Sequence, residues 1–120
     1  MSYKNLLNNF VTRCRLNDIV LVVAAGNNGQ DATFLDQVVP QRFGAEDNAI
    51  ITVGGVHNDG SLWTKTTPSR GLGGSISVYA QAVGVDILNW LGQPDYDHGT
   101  SYAAPAVVCK ILSSKLAYTY

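Results

Sequence analysis

The residues from Asp97 to Pro105 place a hydroxyl nucleophile at the start of a helix. The run is Asp97-His98-Gly99-Thr100-Ser101-Tyr102-Ala103-Ala104-Pro105. Polar turn residues lead into apolar positions at Ala104, Val107, Val108, Ile111, Leu112 and Leu116. Spacings of three and four predict a helix with one buried face. Thr100 or Ser101 then stands at its N-terminus, where Ser and Thr are favoured caps. That end carries N–H groups without intrahelical partners and the positive end of the macrodipole. A serine there offers its hydroxyl at the helix mouth, and its own N–H faces any anion that forms nearby. Gly99 lets a substrate approach with no Cβ in the way. Pro105 has no N–H to give the carbonyl four residues back, that of Ser101, and so distorts the backbone at the serine. The chemistry served is nucleophilic attack on a carbonyl. The plainer alternative is an ordinary cap on a core helix.

A second group of residues fits the same chemistry. Ile19-Val20-Leu21-Val22-Val23-Ala24-Ala25 is an apolar run rich in β-branched residues and without alternation. It predicts a strand buried on both faces, as in parallel sheets covered by helices. It ends at Gly26-Asn27-Asn28-Gly29. Ligands of open α/β sheets bind beyond the carboxyl ends of the strands. Asn27 in that place can aim its amide at a developing oxyanion. Taken alone, the same residues also read as a turn, because Asn and Gly tolerate positive φ.

Gly99-Thr100-Ser101 with Ala103 and Pro105 closely resembles the active-site serine signature of the subtilisin-like serine proteases, peptidase S8. Ala24-Ala25-Gly26-Asn27 at a strand end resembles a second motif of that family, in the family's order along the chain. The resemblance implies an α/β fold: the C-terminal portion of a three-layer architecture with a mostly parallel sheet. Residues 1–120 would form a partial peptidase domain. It implies Ser101 as nucleophile and Asn27 in the oxyanion hole. Ala24, Ala25 and Gly26 would be one wall of the pocket for the side chain before the cut bond. The implied reaction is hydrolysis of a polypeptide through an acyl-enzyme on Ser101, with no cofactor. The middle of the chain follows the family as well, with Val53-Gly54-Gly55-Val56 closing a strand. It departs at Gln81-Ala82-Val83-Gly84, where Ala-Pro-Gly is usual, and at Val107-Val108-Cys109, where the helix usually continues Val-Ala-Gly.

A serine hydroxyl needs a base within hydrogen-bond reach, and the base needs an orienting partner. The family's Asp-Thr-Gly and His-Gly-Thr-His motifs should precede the oxyanion-hole strand, and neither stands in this sequence. The Ser- and Gly-rich segment of the other pocket wall is missing too. His57 reads as a solvated loop residue. His98 lies three residues before Ser101, with Asp95 or Asp97 near enough to orient it. A neighbour on the same tight turn rarely reaches the angle that proton transfer needs. The expectation is a fragment inactive alone, whose partner is the missing N-terminal half of a peptidase domain. A non-catalytic remnant or interaction module fits the same motifs. An α/β-hydrolase fits poorly: its elbow needs Gly-x-Ser-x-Gly, Ala103 replaces the second glycine, and no acid or histidine follows Ser101.

The elements that must position these residues follow in order. Leu6, Leu7, Phe10, Val11 and Cys14 predict an amphipathic helix over 3–16, ended by the turn residues Asn17-Asp18. Helix, turn and strand 19–25 make half of a βαβ unit, whose first strand would lie before Met1. Residues 30–48 form a long polar connection anchored at Val39-Pro40 and Phe43-Gly44. A second strand is predicted from Ala49 to Gly54, extended by Gly55-Val56, with a turn at Asn58-Asp59-Gly60-Ser61. Trp63 is expected in the core or over a hairpin. Residues 64–74 show no packing pattern. Ser75 to Ala80 alternate and predict a strand with one buried face. Val83, Val85, Ile87 and Leu88 continue in short extended pieces, and polar residues 92–98 lead back to the serine.

Composition sets the bounds. The 120 residues suffice for one small domain or part of a larger one, with 46% hydrophobic and 14% charged residues. A net charge of −1 and the lack of a basic cluster give no reason to expect nucleic acid or an anionic membrane as partner. No apolar run approaches the roughly 20 residues of a membrane span. Met1 is followed by polar residues, so no signal peptide is expected. Secretion or vacuolar residence is only the family's habit. Cys14 and Cys109 are expected as buried free thiols, with a single bridge between them as the alternative. The carboxylates are scattered and the cysteines lack ligand spacing, so no metal site is expected.

Overall fold

The computed structural model describes residues 3–27, 29, 49–66 and 76–119. Its elements are α1 (Tyr3–Leu16), β1 (Leu21–Ala24), β2 (Ile50–Val56), β3 (Val78–Gln81), β4 (Val85–Leu88), β5 (Pro94–Asp97) and α2 (Thr100–Thr119). The expectations placed on residues 30–48, Pro40 included, and on 67–75 lie outside the described residues.

β1, β2 and β3 form a parallel sheet in that order, with Leu21 opposite Ile50 and Val53 opposite Val78. Successive residues of a strand face opposite sides, and this alternation builds two cores. Val11 of α1 packs with Ala49 and Ile50, joined by Leu21 and Val23. Ala103, Ala104 and Val107 of α2 pack with Val53 and Ala82, joined by Val22, Ala24 and Ile51. The sheet is thus a middle layer with one helix on each face. This is the expected α/β architecture with a parallel sheet.

α1 covers the predicted residues. Its end is set by Asp18, which takes a left-handed φ of 55°, while the Ile19 N–H returns to the Cys14 carbonyl at 2.9 Å. That closure holds Ile19 out of the sheet. β1 is therefore shorter than the predicted 19–25, and Ile19 and Val20 stay about half exposed. β1 is also only half-buried, because among the described residues it has a strand neighbour on one side alone.

Four further expectations are corrected. β3 starts at Val78, and Val78 and Tyr79 are exposed, so no clean buried face forms. The polar stretch before the serine holds a strand, since β5 pairs antiparallel with β4. Asn89 makes that hairpin: its side-chain oxygen accepts the N–H groups of Leu91 and Gln93. In α2, Val108 and Leu112 face away from the core, and the buried side runs through Ala103, Ala104 and Val107. Cys14 is buried but Cys109 is exposed, and both are free thiols.

The core packs closely at Gly55. A Cβ there would lie 2.6 Å from the Ala82 Cβ and 3.1 Å from the Trp63 ring. The Gly55 N–H donates to the hydroxyl of Thr66 at 2.9 Å, and Thr66 is fully buried. The start of the segment expected to lack packing is thus tied to β2.

Candidate active site

The carboxyl end of β1 and the amino end of α2 meet. Three bonds join them. The Thr100 N–H and the Thr100 hydroxyl both donate to the Asn27 side-chain oxygen, at 2.8 and 2.9 Å. The Gly26 N–H donates to Thr100 Oγ1 at 3.1 Å. Asn27, from a distant element, therefore receives the first N–H of α2, a group that a helix leaves unpaired. Thr100 is the first helical residue rather than its cap, and its side chain is spent on Asn27 and Gly26.

This arrangement fixes the Asn27 amide. Its oxygen is taken by two donors, so its NH2 is turned to the other side. The Nδ2 atom lies 3.6 Å from where a Cβ on Gly99 would stand. Gly99 holds φ at 152° and donates its N–H to the Ala82 carbonyl at 2.7 Å. A side chain at this position would be strained by that φ, while its Cβ would only touch the amide at ordinary contact distance.

Ser101 is exposed in the first turn of α2, where N–H groups have no intrahelical acceptor. Its hydroxyl has no hydrogen-bond partner among the described residues. Ser101 lines an apolar groove of about 490 Å³ with Val22, Ala24, Ala104, Pro105, Val108 and Cys109. Of the three residues expected to wall a substrate pocket, Ala24 lines this groove. Ala25 is buried, with its N–H on the Val53 carbonyl. Gly26 is half-buried at φ 114°.

Neither histidine serves Ser101 in this structure. His98 Nδ1 accepts the Gly84 N–H at 2.9 Å, which ties the ring to the loop before β4. His57 belongs to the turn after β2, with its N–H on the Ser61 carbonyl. Asp97 does not orient an imidazole either. Its carboxylate accepts the Tyr102 hydroxyl at 2.7 Å and the His98 N–H at 2.8 Å. Those bonds, with the Tyr102 hydroxyl first, hold the Asp97 carboxyl below its usual range. The same bond pushes the Tyr102 phenol up. Sequence reasoning missed the Thr100 clamp and the Tyr102–Asp97 bridge. The clamp spans 73 residues, and no local pattern reports it.

The chain is similar to subtilisin-like (S8) protease domains. Two solved structures show the likeness. The self-cleaved protease domain of PatA superposes with a TM-score of 0.66 at 29% identity, over 85% of this chain and 35% of that one. A serine-to-alanine mutant of the same protease domain gives 0.63 at 27% identity, over 84% of this chain and 34% of that one. The chain thus spans about a third of the length of these structures. No protein-family model matches it, and no curated protein does.

Proposed function

We propose that the chain is the nucleophile-bearing part of a serine endopeptidase domain. The observation that supports this best is the bonding of Asn27 to Thr100, the residue just before Ser101, across 73 positions of sequence. In the working enzyme, the Ser101 hydroxyl attacks a peptide carbonyl, and a histidine from outside the described residues takes its proton. The oxyanion is received by the Ser101 N–H and by the Asn27 NH2, which Thr100 holds outward. The acyl-enzyme on Ser101 is then released by water. Ala24, Ala25 and Gly26 border the bound substrate on the β1 side.

One observation favours a second reading, a non-catalytic remnant: no base reaches Ser101 among the described residues. The two readings separate on the transcript that encodes Met1. A frame that continues upstream through Asp-Thr-Gly and His-Gly-Thr-His supports the protease. A stop codon just before Met1 leaves the remnant. In the complete enzyme, Asn27→Ala is expected to lower kcat with KM nearly unchanged. The range for this loss, about 10²–10³, comes from the oxyanion asparagine of a subtilisin itself. Equal kcat in the variant would remove Asn27 from the site. Cleavage of a chromogenic peptide by the purified chain, abolished in Ser101→Ala, would show that the base lies within the chain after all.

A further inference from the structure

We infer that His98 is a proton-released latch. Its neutral imidazole pins the turn before β4 to the turn before α2, and its protonation loosens the site where Asn27 meets Thr100. His98 is then a positioning residue, and the latch stands whether or not Ser101 is a nucleophile.

Among the described residues, two hydrogen bonds join residues 82–84 to 98–99. The Gly99 N–H donates to the Ala82 carbonyl at 2.7 Å, and the Gly84 N–H donates to His98 Nδ1 at 2.9 Å. The second bond extends the β4–β5 ladder by one step. Val85 and Asp97 are the outermost paired residues there, and Gly84 and His98 are their neighbours. A ring nitrogen thus stands where a ladder would use a backbone carbonyl. The turn itself is shaped apart from the histidine: Gly84 holds φ at 63°, and the Gln81 side chain donates to the Val83 carbonyl at 3.0 Å.

A carbonyl accepts at any pH. An imidazole nitrogen accepts only while it lacks a proton, so this bond requires the neutral ring with its proton on Nε2. Protonation sets N–H against N–H at Gly84, and the attraction becomes a repulsion. The ring then turns out into water, since His98 is exposed. Histidine changes charge between roughly pH 5 and 8. Its titratable surroundings do not. Asp97 accepts the His98 N–H and the Tyr102 hydroxyl, and Asp95 accepts the Tyr96 N–H. The Tyr96 ring lies 6.0 Å from the imidazole, with Asp86 opposite Tyr96 on β4. Carboxylates titrate well below the histidine range and phenols well above it. Residues 76–109 hold no Lys or Arg. The latch reaches the site through one residue. Gly99 follows His98, and Thr100 after it gives its N–H and hydroxyl to Asn27. With the imidazole bond gone, only the Gly99–Ala82 bond still joins residues 82–84 to 98–99 among the described residues.

The test is an NMR titration of the dilute chain across the histidine range, roughly pH 8 to 5. At the neutral end, the nitrogen-15 shifts of the His98 ring should report the Nε2–H tautomer. On acidification, the Gly84 amide, the Gly99 amide and the Asn27 side-chain NH2 should shift together with the His98 ring. Hydrogen-exchange protection of the Gly84 amide should fall about three- to tenfold, the usual effect of losing one hydrogen bond. His98→Asn places an amide oxygen, which does not titrate, near the position of Nδ1. In that variant the Gly84 and Asn27 signals should hold steady over the same range. In His98→Leu they should resemble the acid state at every pH. His57 is the internal control, since it belongs to the turn after β2. An Nδ1–H tautomer at neutral pH overturns the inference. So does a Gly84 amide indifferent to His98 protonation, or an Asn27 signal that follows His57 or still moves in His98→Asn. The wild-type titration decides these points even if a variant fails to fold.

Discussion

Thr100 governs the site more than its ordinary type would imply. Its hydroxyl is both acceptor for Gly26 and donor to Asn27, and it is fully buried. Thr100→Val keeps the shape and removes both bonds, leaving the Gly26 N–H without its acceptor. A buried group left unpaired costs about 1–3 kcal/mol, so a urea melt should lose stability in that range. A loss near zero would mean that water replaces the hydroxyl. The Tyr102–Asp97 bridge makes a separate prediction in pH. Asp97 titrates below its ordinary value of 3.8, so its contribution is complete above that value and fades as pH falls through the lowered one. Tyr102 titrates above its ordinary 10.0, so its contribution is present below 10.0 and fades as pH rises beyond it. In Tyr102→Phe the Asp97 carboxyl should return towards 3.8, read by carbon-13 NMR. In Asp97→Asn the phenol should titrate earlier, read by absorbance. Asp97 is exposed and Tyr102 only partly buried, so the bridge fixes the turn geometry more than it adds stability. Ser101 and Asn27 were legible because their motifs are local. Their mutual lock was not, because hydrogen bonds between remote residues leave no period in a sequence.

Among the elements, β2 is the one the rest depend on. It is the middle strand of the sheet and touches both cores. Its two glycines are packing devices, not turn residues. Gly54 lies under the Tyr79 ring and Gly55 against Ala82 and Trp63. Tyr79 is partly exposed and can swing away, whereas the Ala82 Cβ is fixed to a buried backbone. Gly55→Ala should therefore cost about 1–3 kcal/mol, the usual range for an overfilled core, and Gly54→Ala less. Paired thermal melts give the order; the reverse order would show that Ala82 moves more freely than its burial implies. The helices and β2 were readable from apolar spacing. β5 was not, because Pro94-Asp95-Tyr96-Asp97 is polar and exposed throughout, and hydrophobic patterning sees only strands that bury a face. The stripe of α2 was read too wide for a related reason. Ala104, Val107, Val108, Ile111 and Leu112 span two surfaces, one against the sheet and one exposed, and periodicity does not tell the two apart.

At the scale of the whole molecule, the apolar band beside β1 decides how the chain behaves in solution. Ile19, Val20 and Leu112 are each more than half exposed, and they adjoin backbone groups of β1 that no strand pairs with among the described residues. An open apolar edge is a template for pairing with another chain, and natural proteins blunt such edges with charge. The strand itself carries none, since Ile19 to Ala25 holds no charged residue; Arg15, Asp18 and Lys115 stand only at its start, beside Ile19 and Val20. The chain alone is therefore expected to associate as its concentration rises. Val20→Lys places a charge in the band at a position already about half in water, before the first paired residue of β1. Substitutions at such surface positions usually change stability by less than about 0.5 kcal/mol. The variant should keep the wild-type melt and lose the association, followed by sedimentation velocity over a concentration series. A wild-type chain that stays monomeric throughout would show that this edge does not seek a neighbour. If Val20→Lys melts like wild type and still associates, the exposed Leu6–Phe10 side of α1 becomes the surface to test, since it is the other apolar patch that α1 leaves open.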